Sequence, residues 1–266
     1  MAADTPDVLT RIALHVGKRL EKLKVASPVA ALRAQPLYAR APKSLRVALE
    51  RKKPAVIAEV KFASPSEGFL RGNAPPTADM AVDMAGRYLA NGAAALSILT
   101  ERNFFAGAPD FLVAVREKNP DAALLMKDFV FDPYQLELAR AIGADAVLLI
   151  VALVGTQLGE LHAQAKALGL SVLVETHTEE ELDLAKKAGA DIIGVNSRNL
   201  KTLKTDLDVA RRLAGQGGGA LLVAESGLKT RADLDEFSKR GYGAFLVGTS
   251  LMKKPDPGAA LKELLA

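Results

Sequence analysis

Glu59 and Lys61 stand two residues apart at the end of an apolar run, Ala55-Val56-Ile57-Ala58-Glu59-Val60-Lys61. That run leads straight into Ser64-Pro65-Ser66-Glu67-Gly68. Strand side chains alternate between faces, so this carboxylate and ammonium share one face, about 7 Å apart. Burying both is costly unless they act on something. The arrangement recurs. Lys127 and Phe129 follow Ala123-Leu124-Leu125-Met126, and Glu175 closes Leu170-Ser171-Val172-Leu173-Val174. Asn196 and Arg198 follow Ile192-Ile193-Gly194-Val195, and Glu225-Ser226-Gly227 and Gly248-Thr249 end two more such runs. Two lysines and three glutamates in one place suit acid–base chemistry without a metal. Low dielectric and neighbouring cations can depress a lysine toward neutrality, and an apolar cavity can raise a glutamate. As ion pairs alone, such a set would seldom repay its desolvation.

The elements that must position these groups are visible as eight short apolar runs, near 55–61, 94–99, 122–127, 146–151, 170–175, 191–196, 220–225 and 243–247. They are nearly continuous in hydrophobicity, as parallel strands buried on both faces are. Helical patterns alternate with them, for example Asp132–Ile142, Gly155–Leu168, Thr178–Ala188 and Ala232–Lys239. The alternation predicts an α/β fold, a closed (β/α)8 barrel, with a doubly wound sheet as the lesser alternative. Polar groups at the C-terminal ends of its strands would then share one mouth. The fourth run, Ala146–Val151, brings no polar side chain. Asn91-Gly92-Ala93, Gly143-Ala144-Asp145, Gly189-Ala190-Asp191 and Gly241-Tyr242-Gly243 each precede a run, so these glycines read as helix caps at the barrel floor. Gly215-Gln216-Gly217-Gly218-Gly219 also precedes a strand, whereas a phosphate cradle follows one, so it reads as a floor loop.

Residues 1–54 come before the barrel. Pro6–Lys24 predicts an amphipathic helix, Gln35–Pro42 a loop, and Ser44–Arg51 a second, short helix. The segment is too short to bury a core of its own. It is expected to pack on the barrel of residues 55–266, together one domain.

The chain has 266 residues, a normal length for such a barrel, and no cysteine. That excludes disulfides, thiolate metal sites and a cysteine nucleophile, and fits a reducing compartment. Met1-Ala2-Ala3-Asp4 carries no signal-peptide pattern, and no apolar run approaches the roughly 18 residues of a membrane span. A cytoplasmic location is expected. Net charge is +4, with Lys and Arg scattered rather than clustered. The implied partner is therefore a small anionic molecule, with neither nucleic acid nor membrane; protein partners are left open. His15, His162 and His177 form no metal-ligating set, and no dinucleotide fingerprint is present. No metal and no cofactor are expected. His177 could touch the mouth, though a loop histidine is more often a bystander.

Barrels that bind phosphate use the loops after strands seven and eight and a short helix N-terminus. Ser226-Gly227 and Gly248-Thr249 fall in those loops, and Gly248–Lys253 could form that helix.

These residues together resemble the indole-3-glycerol-phosphate synthase family of tryptophan biosynthesis. The resemblance rests on Ile57-Ala58-Glu59-Val60-Lys61 with Ser64-Pro65-Ser66, Ser97-Ile98-Leu99-Thr100-Glu101, Met126-Lys127-Asp128-Phe129, Leu173-Val174-Glu175, Val195-Asn196-Ser197-Arg198-Asn199-Leu200, Ala224-Glu225-Ser226-Gly227 and Leu246-Val247-Gly248. It spans the whole barrel. It implies ring closure, decarboxylation and dehydration of 1-(2-carboxyphenylamino)-1-deoxyribulose 5-phosphate. It places a general acid at Lys127, assisted by Lys61, and acid–base or charge-stabilising carboxylates at Glu59 and Glu175. Asn196 and Glu225 join that catalytic set, orienting sugar hydroxyls and carboxylate together with Arg198 and Ser64. Ser226, Gly227, Gly248 and Thr249 would hold the phosphate, and Phe105 and Phe129 would pack on the aromatic ring. Phe62, Glu67 and Thr249 depart from the family's usual pattern. The loop Phe62–Gly72 is expected to be a mobile lid over Lys61. A phosphoribosyl-isomerase-type barrel and a non-catalytic phosphate-binding barrel are the competing readings.

Overall fold

A computed structural model describes residues 7–71 and 75–266. Residues 1–6 and Gly72 of the expected lid lie outside them.

Three helices come first: α1 (Val8–Ala26), α2 (Val29–Arg33) and α3 (Leu45–Glu50). The barrel then runs β1 (Ala55–Val60), α4 (Ala78–Ala90), β2 (Ala95–Leu99), α5 (Pro109–Lys118), β3 (Leu124–Lys127), α6 (Pro133–Ala141) and β4 (Ala146–Ile150). It continues with α7 (Val151–Val154), α8 (Leu158–Ala167), β5 (Ser171–Thr176), α9 (Glu179–Lys187), β6 (Ile192–Asn196) and α10 (Asp208–Leu213). It finishes with β7 (Leu221–Glu225), α11 (Arg231–Lys239), β8 (Ala244–Val247), α12 (Thr249–Met252) and α13 (Pro257–Leu265). The eight strands pair in parallel and close on themselves, β8 pairing with β1. This is a (β/α)8 barrel, as the alternation of apolar runs predicts.

Strand alternation divides the core. Val56, Ala58 and Val60 of β1, and Val172 and Val174 of β5, pack outward with the helices. Ala55, Ile57, Leu125, Leu148, Leu173, Val223 and Leu246 form the other cluster, inside the barrel. One more step of two along each strand gives Glu59, Lys127, Ile150, Glu175, Glu225 and Gly248. The same period that builds the interior therefore aims these residues into the mouth.

The leading helices cover both ends of the barrel. On α1, Ile12, Val16 and Leu20 recur every four residues and are buried. Asp7 caps its first turn through the Thr10 N–H. Arg19 of α1 pairs with Asp128 just past β3 at 3.2 Å, and Lys24 with Asp132 at 2.5 Å. At the opposite end, Leu45 and Leu49 of α3 are fully buried, and the Leu45 N–H donates to Ser171 Oγ at the start of β5. Helix α2 falls in a stretch where the sequence predicts no element; five residues are too few for periodicity to register.

Glycines at positive φ end the helices before several strands, among them Gly143 and Gly189. Gly215, Gly218 and Gly219 do the same before β7, so that loop is a floor connection. Among the described residues, no helix is long and apolar enough to cross a membrane.

Candidate active site

Two adjoining hollows open at the C-terminal ends of the strands, and between them they are lined by every residue to which the sequence assigns a role. Glu59, Lys61, Ser64, Phe105, Lys127, Phe129, Glu175, Asn196, Arg198, Glu225, Ser226 and Thr249 line the first. Gly227 and Gly248 line the second, together with Lys61, Arg198, Ser226 and Thr249 again.

The charges are tightly interlocked. Lys127 Nζ lies 3.2 Å from Glu175 Oε2 and 3.8 Å from Glu225 Oε2. Lys61, one residue beyond β1, turns back to place Nζ 2.6 Å from Glu59 Oε1. Glu59, Glu175 and Glu225 are each at most 4% exposed. With so little water to screen them, their charges act strongly on their neighbours. Burial alone would lower the Lys127 pKa, but Glu175, then Glu225 and Glu59, outweigh it and push it above its ordinary value. The depressed lysine expected from sequence is thus not what forms: three carboxylates, not cations, surround Lys127. Burial raises the Glu175 carboxyl, but Lys127 and then His177 more than reverse this and hold it below the usual range. Glu225 goes the other way. Burial, and then the negative charge of Glu175, lift it well above the ordinary carboxyl value against the pull of Lys127. The cluster therefore favours the charged forms of Lys127 and Glu175 and the protonated form of Glu225.

Glycines make the room. A Cβ on Gly194 would sit 1.9 Å from Glu225 Oε1, and one on Gly248 would sit 2.4 Å from Glu59 Oε1. Both carboxylates lie against bare backbone. A glycine inside a strand signals such an approach, yet the sequence does not say which neighbour makes it.

Around the charges, the first hollow is apolar. Val8, Leu9 and Ile12 of α1 face Leu99, Leu148 and Ile150 across it. Phe105 and Phe129 stand side by side, with ring centroids 5.9 Å apart. Strand β4, which ends without a polar group, supplies this wall. The second hollow is polar and cationic, lined by Lys229, Thr230, Ser250, Lys253 and Lys254 as well as the residues named above. Ser226 and Gly227 both adopt positive φ there, and Gly248 precedes α12, the short helix expected at this point.

The segment after Lys61 spans the mouth. Ala63–Ser64 and Gly68–Phe69 pair as a small antiparallel hairpin. Arg198 donates to Ser66 Oγ at 3.0 Å, Lys253 bonds Glu67 at 2.5 Å, and Arg71 donates to the Pro255 carbonyl at 2.9 Å. Glu67 is thus paired rather than merely solvated. Phe62 turns away from the mouth and packs edge-on against Phe111. Asn196 Oδ1 accepts the Arg198 N–H, which fixes that loop beside β6. His177 also reaches the cluster, its Nε2 3.6 Å from Glu175 Oε1.

The sequence profile of the family described as Indole-3-glycerol phosphate synthase matches residues 9–264. The chain belongs to the indole-3-glycerol phosphate synthase family. A relative of that name from Carboxydothermus hydrogenoformans is 44% identical over 234 residues, covering 85% of this chain and 86% of its own. Another, from Laribacter hongkongensis, is 41% identical over 267 residues, covering 98% and 99%. Membership makes the chain a carboxy-lyase of tryptophan biosynthesis. Solved structures share the fold at much lower identity. A 3-hexulose-6-phosphate synthase from Salmonella typhimurium aligns with TM-score 0.63 at 15% identity, covering 79% of this chain and 96% of that one. A thiamine phosphate pyrophosphorylase from Pyrococcus furiosus aligns with TM-score 0.59 at 20% identity, covering 80% and 95%.

Proposed function

We propose that the mouth converts 1-(2-carboxyphenylamino)-1-deoxyribulose 5-phosphate to indole-3-glycerol phosphate, releasing one carbon dioxide and one water. One observation carries this reading. A buried lysine–carboxylate cluster lines an apolar, aromatic hollow that adjoins a cationic, loop-lined one, with Glu59 and Lys61 lining both. A substrate with an aromatic ring at one end and a phosphate at the other spans the two.

In the first step the ring carbon bearing the carboxylate attacks the sugar carbonyl. Negative charge builds on the carbonyl oxygen, and Lys127, held protonated by the carboxylates of Glu175 and Glu59, donates to it. The new carbon–carbon bond leaves the ring non-aromatic, and loss of carbon dioxide restores it. In the last step the hydroxyl leaves as water. An acid must protonate it, and a base must take the proton from the neighbouring carbon. Lys61, paired with Glu59, and the neutral Glu225 are the available acids, and the ionised Glu175 is the available base. Phe105 and Phe129, with Leu9 and Ile12, would hold the ring. Ser226, Gly227, Gly248 and Thr249 would bind the phosphate with Lys229 and Lys253 nearby, giving remote binding energy that aligns the reacting centre. Ser64, Asn196 and Arg198 would orient the sugar hydroxyls and the carboxylate. The hairpin after Lys61 would open and close as a lid, with Glu67–Lys253 as its latch. The leading segment and the barrel would act as one domain, since α1 forms a wall of the hollow.

Incubating the protein with this substrate tests the reading. Indole fluorescence should appear together with equimolar carbon dioxide, against a low background because the chain has no Trp. Isomerisation of the sugar without carbon dioxide release would favour the isomerase-type barrel, and binding without turnover a non-catalytic one.

A further inference from the structure

His177 lies two residues beyond Glu175 and has a place in the cluster that the mechanism above leaves unused. Its backbone N–H donates to Glu181 Oε2 at 2.7 Å, and its ring Nδ1 lies 3.2 Å from the same oxygen. Glu181 belongs to α9, whose first turn carries three consecutive glutamates. The ring is thereby pinned from the helix side. On its other side Nε2 points at Glu175 Oε1, 3.6 Å away. Both of these atoms are buried, and neither has a hydrogen-bond partner. Glu175 Oε2, by contrast, is taken by Lys127.

We propose that His177 is a positioning residue: its imidazolium bridges Glu181 to Glu175 and holds Glu175 as the ionised member of the buried carboxyl pair. The proposal rests on the reading of Glu175 as the base of the site. A buried oxygen with no partner and a buried nitrogen with no partner, facing each other, are best satisfied by a proton between them. With Nδ1 turned to Glu181, an unprotonated Nε2 would aim a lone pair at a carboxylate. A protonated Nε2 removes that repulsion and gives Glu175 a second cation, opposite Lys127. The ionised groups that face the ring come from three elements: Glu175 from β5, Glu181 from α9 and Lys127 from β3. Burial works against the ring's charge and Lys127 repels it, but the Glu181 hydrogen bond and the two carboxylates prevail and raise its pKa. The asymmetry between the two buried glutamates follows. Glu175 has His177 behind it and Lys127 in front, whereas Glu225 has the more distant Lys127 at 3.8 Å and lays its Oε1 against the bare backbone of Gly194. The shared proton therefore settles on Glu225.

The experiment compares His177→Ala, His177→Gln, Glu181→Gln and Glu175→Gln in the full chain. Loss of the charged contact with Glu175 should lower kcat in His177→Ala on the order of tenfold, with KM nearly unchanged. The acidic limb of the pH–kcat profile should move to higher pH, because Glu175 then protonates more readily. His177→Gln, which keeps an N–H donor without the charge, should recover part of kcat but not the position of the limb. Glu181→Gln should move the limb the same way by less. An unaltered limb and kcat in His177→Ala, with Glu175→Gln inactive, would overturn the positioning role alone. A Glu175→Gln variant as active as the parent would overturn the reading of Glu175 instead. A direct titration of the Glu175 carboxyl by 13C NMR is independent of turnover. It should rise in His177→Ala, and an unchanged titration would contradict the proposal whatever the kinetics.

Discussion

Replacing Glu225 by Gln should stabilise the fold more at neutral than at acidic pH, while removing most of the activity. Glu225 is 2% exposed, its Oε1 has no partner among the described residues, and Lys127, 3.8 Å away, is shared with Glu175. Burial and Glu175 together raise its pKa well above the ordinary value. A carboxyl whose native pKa is raised contributes most below its unfolded value, near about 4.3. As pH climbs from there toward the native pKa, the unfolded chain releases a proton that the folded chain retains. Each such pH unit costs about 1.4 kcal/mol. Between pH 5 and 7 the loss is therefore up to about 3 kcal/mol. Glutamine keeps the shape, has no proton to lose, and leaves Lys127 to Glu175. Relative to the parent, the Tm of Glu225→Gln should rise by several degrees from pH 5 to pH 7. Turnover should fall on the order of 10²-fold, as expected for a lost acid. Thermal unfolding by circular dichroism across that range reads the first effect, and indole fluorescence the second. If the Tm difference between parent and variant is the same at pH 5 and pH 7, Glu225 is not the neutral partner and the proton assignment fails.

Three further outcomes follow from the same geometry. Thr249→Glu, which puts a negative charge beside the cationic hollow, should raise KM at least tenfold and abolish competition by inorganic phosphate; retained competition would place the anion site elsewhere. Gly248 is unsuited to that test, because any Cβ there would strike Glu59. Glu67→Gln should weaken the Glu67–Lys253 latch with little change in Tm, since a partly exposed pair contributes only about 0–1 kcal/mol. Turnover should change a few-fold and lose part of its salt dependence; identical hydrogen exchange of the hairpin in parent and variant would rule the latch out. Gly68→Pro cannot serve here, because Gly68 sits at φ +65° where proline cannot. Asp145→Ala should destabilise the protein by about 3–5 kcal/mol, because Asp145 binds Arg40 and the buried Arg116 at the floor, and its loss strands those charges. Urea unfolding would show it, and a loss below 1 kcal/mol would contradict the account.

The period of two carried most of what was legible in the sequence. Ile57 leads to Glu59, Leu173 to Glu175 and Val223 to Glu225, so knowing that a strand is buried on both faces says which end residues enter the mouth. The helix-capping glycines and the turn residues after β7 and β8 were legible for the same local reason. What escaped depends on neighbours distant in the chain. Lys127 looks like a lysine that burial should depress, and only the arrival of Glu175, Glu225 and Glu59 from three other strands reverses the sign. His177 looks like a loop residue until α9 turns Glu181 onto its ring. Glu67 could equally have been solvated, and α12 had to end beside it for Lys253 to make the pair. Gly194 announced a close approach without saying that Glu225 would make it.

The central claim is that Lys127 is the principal acid of the ring closure. Single-turnover formation of the indole product by Lys127→Ala, against the parent at saturating 1-(2-carboxyphenylamino)-1-deoxyribulose 5-phosphate, tests it most directly. The rate should fall at least roughly 10²-fold with the circular dichroism spectrum preserved. A folded Lys127→Ala that forms product within a few-fold of the parent rate would contradict the account.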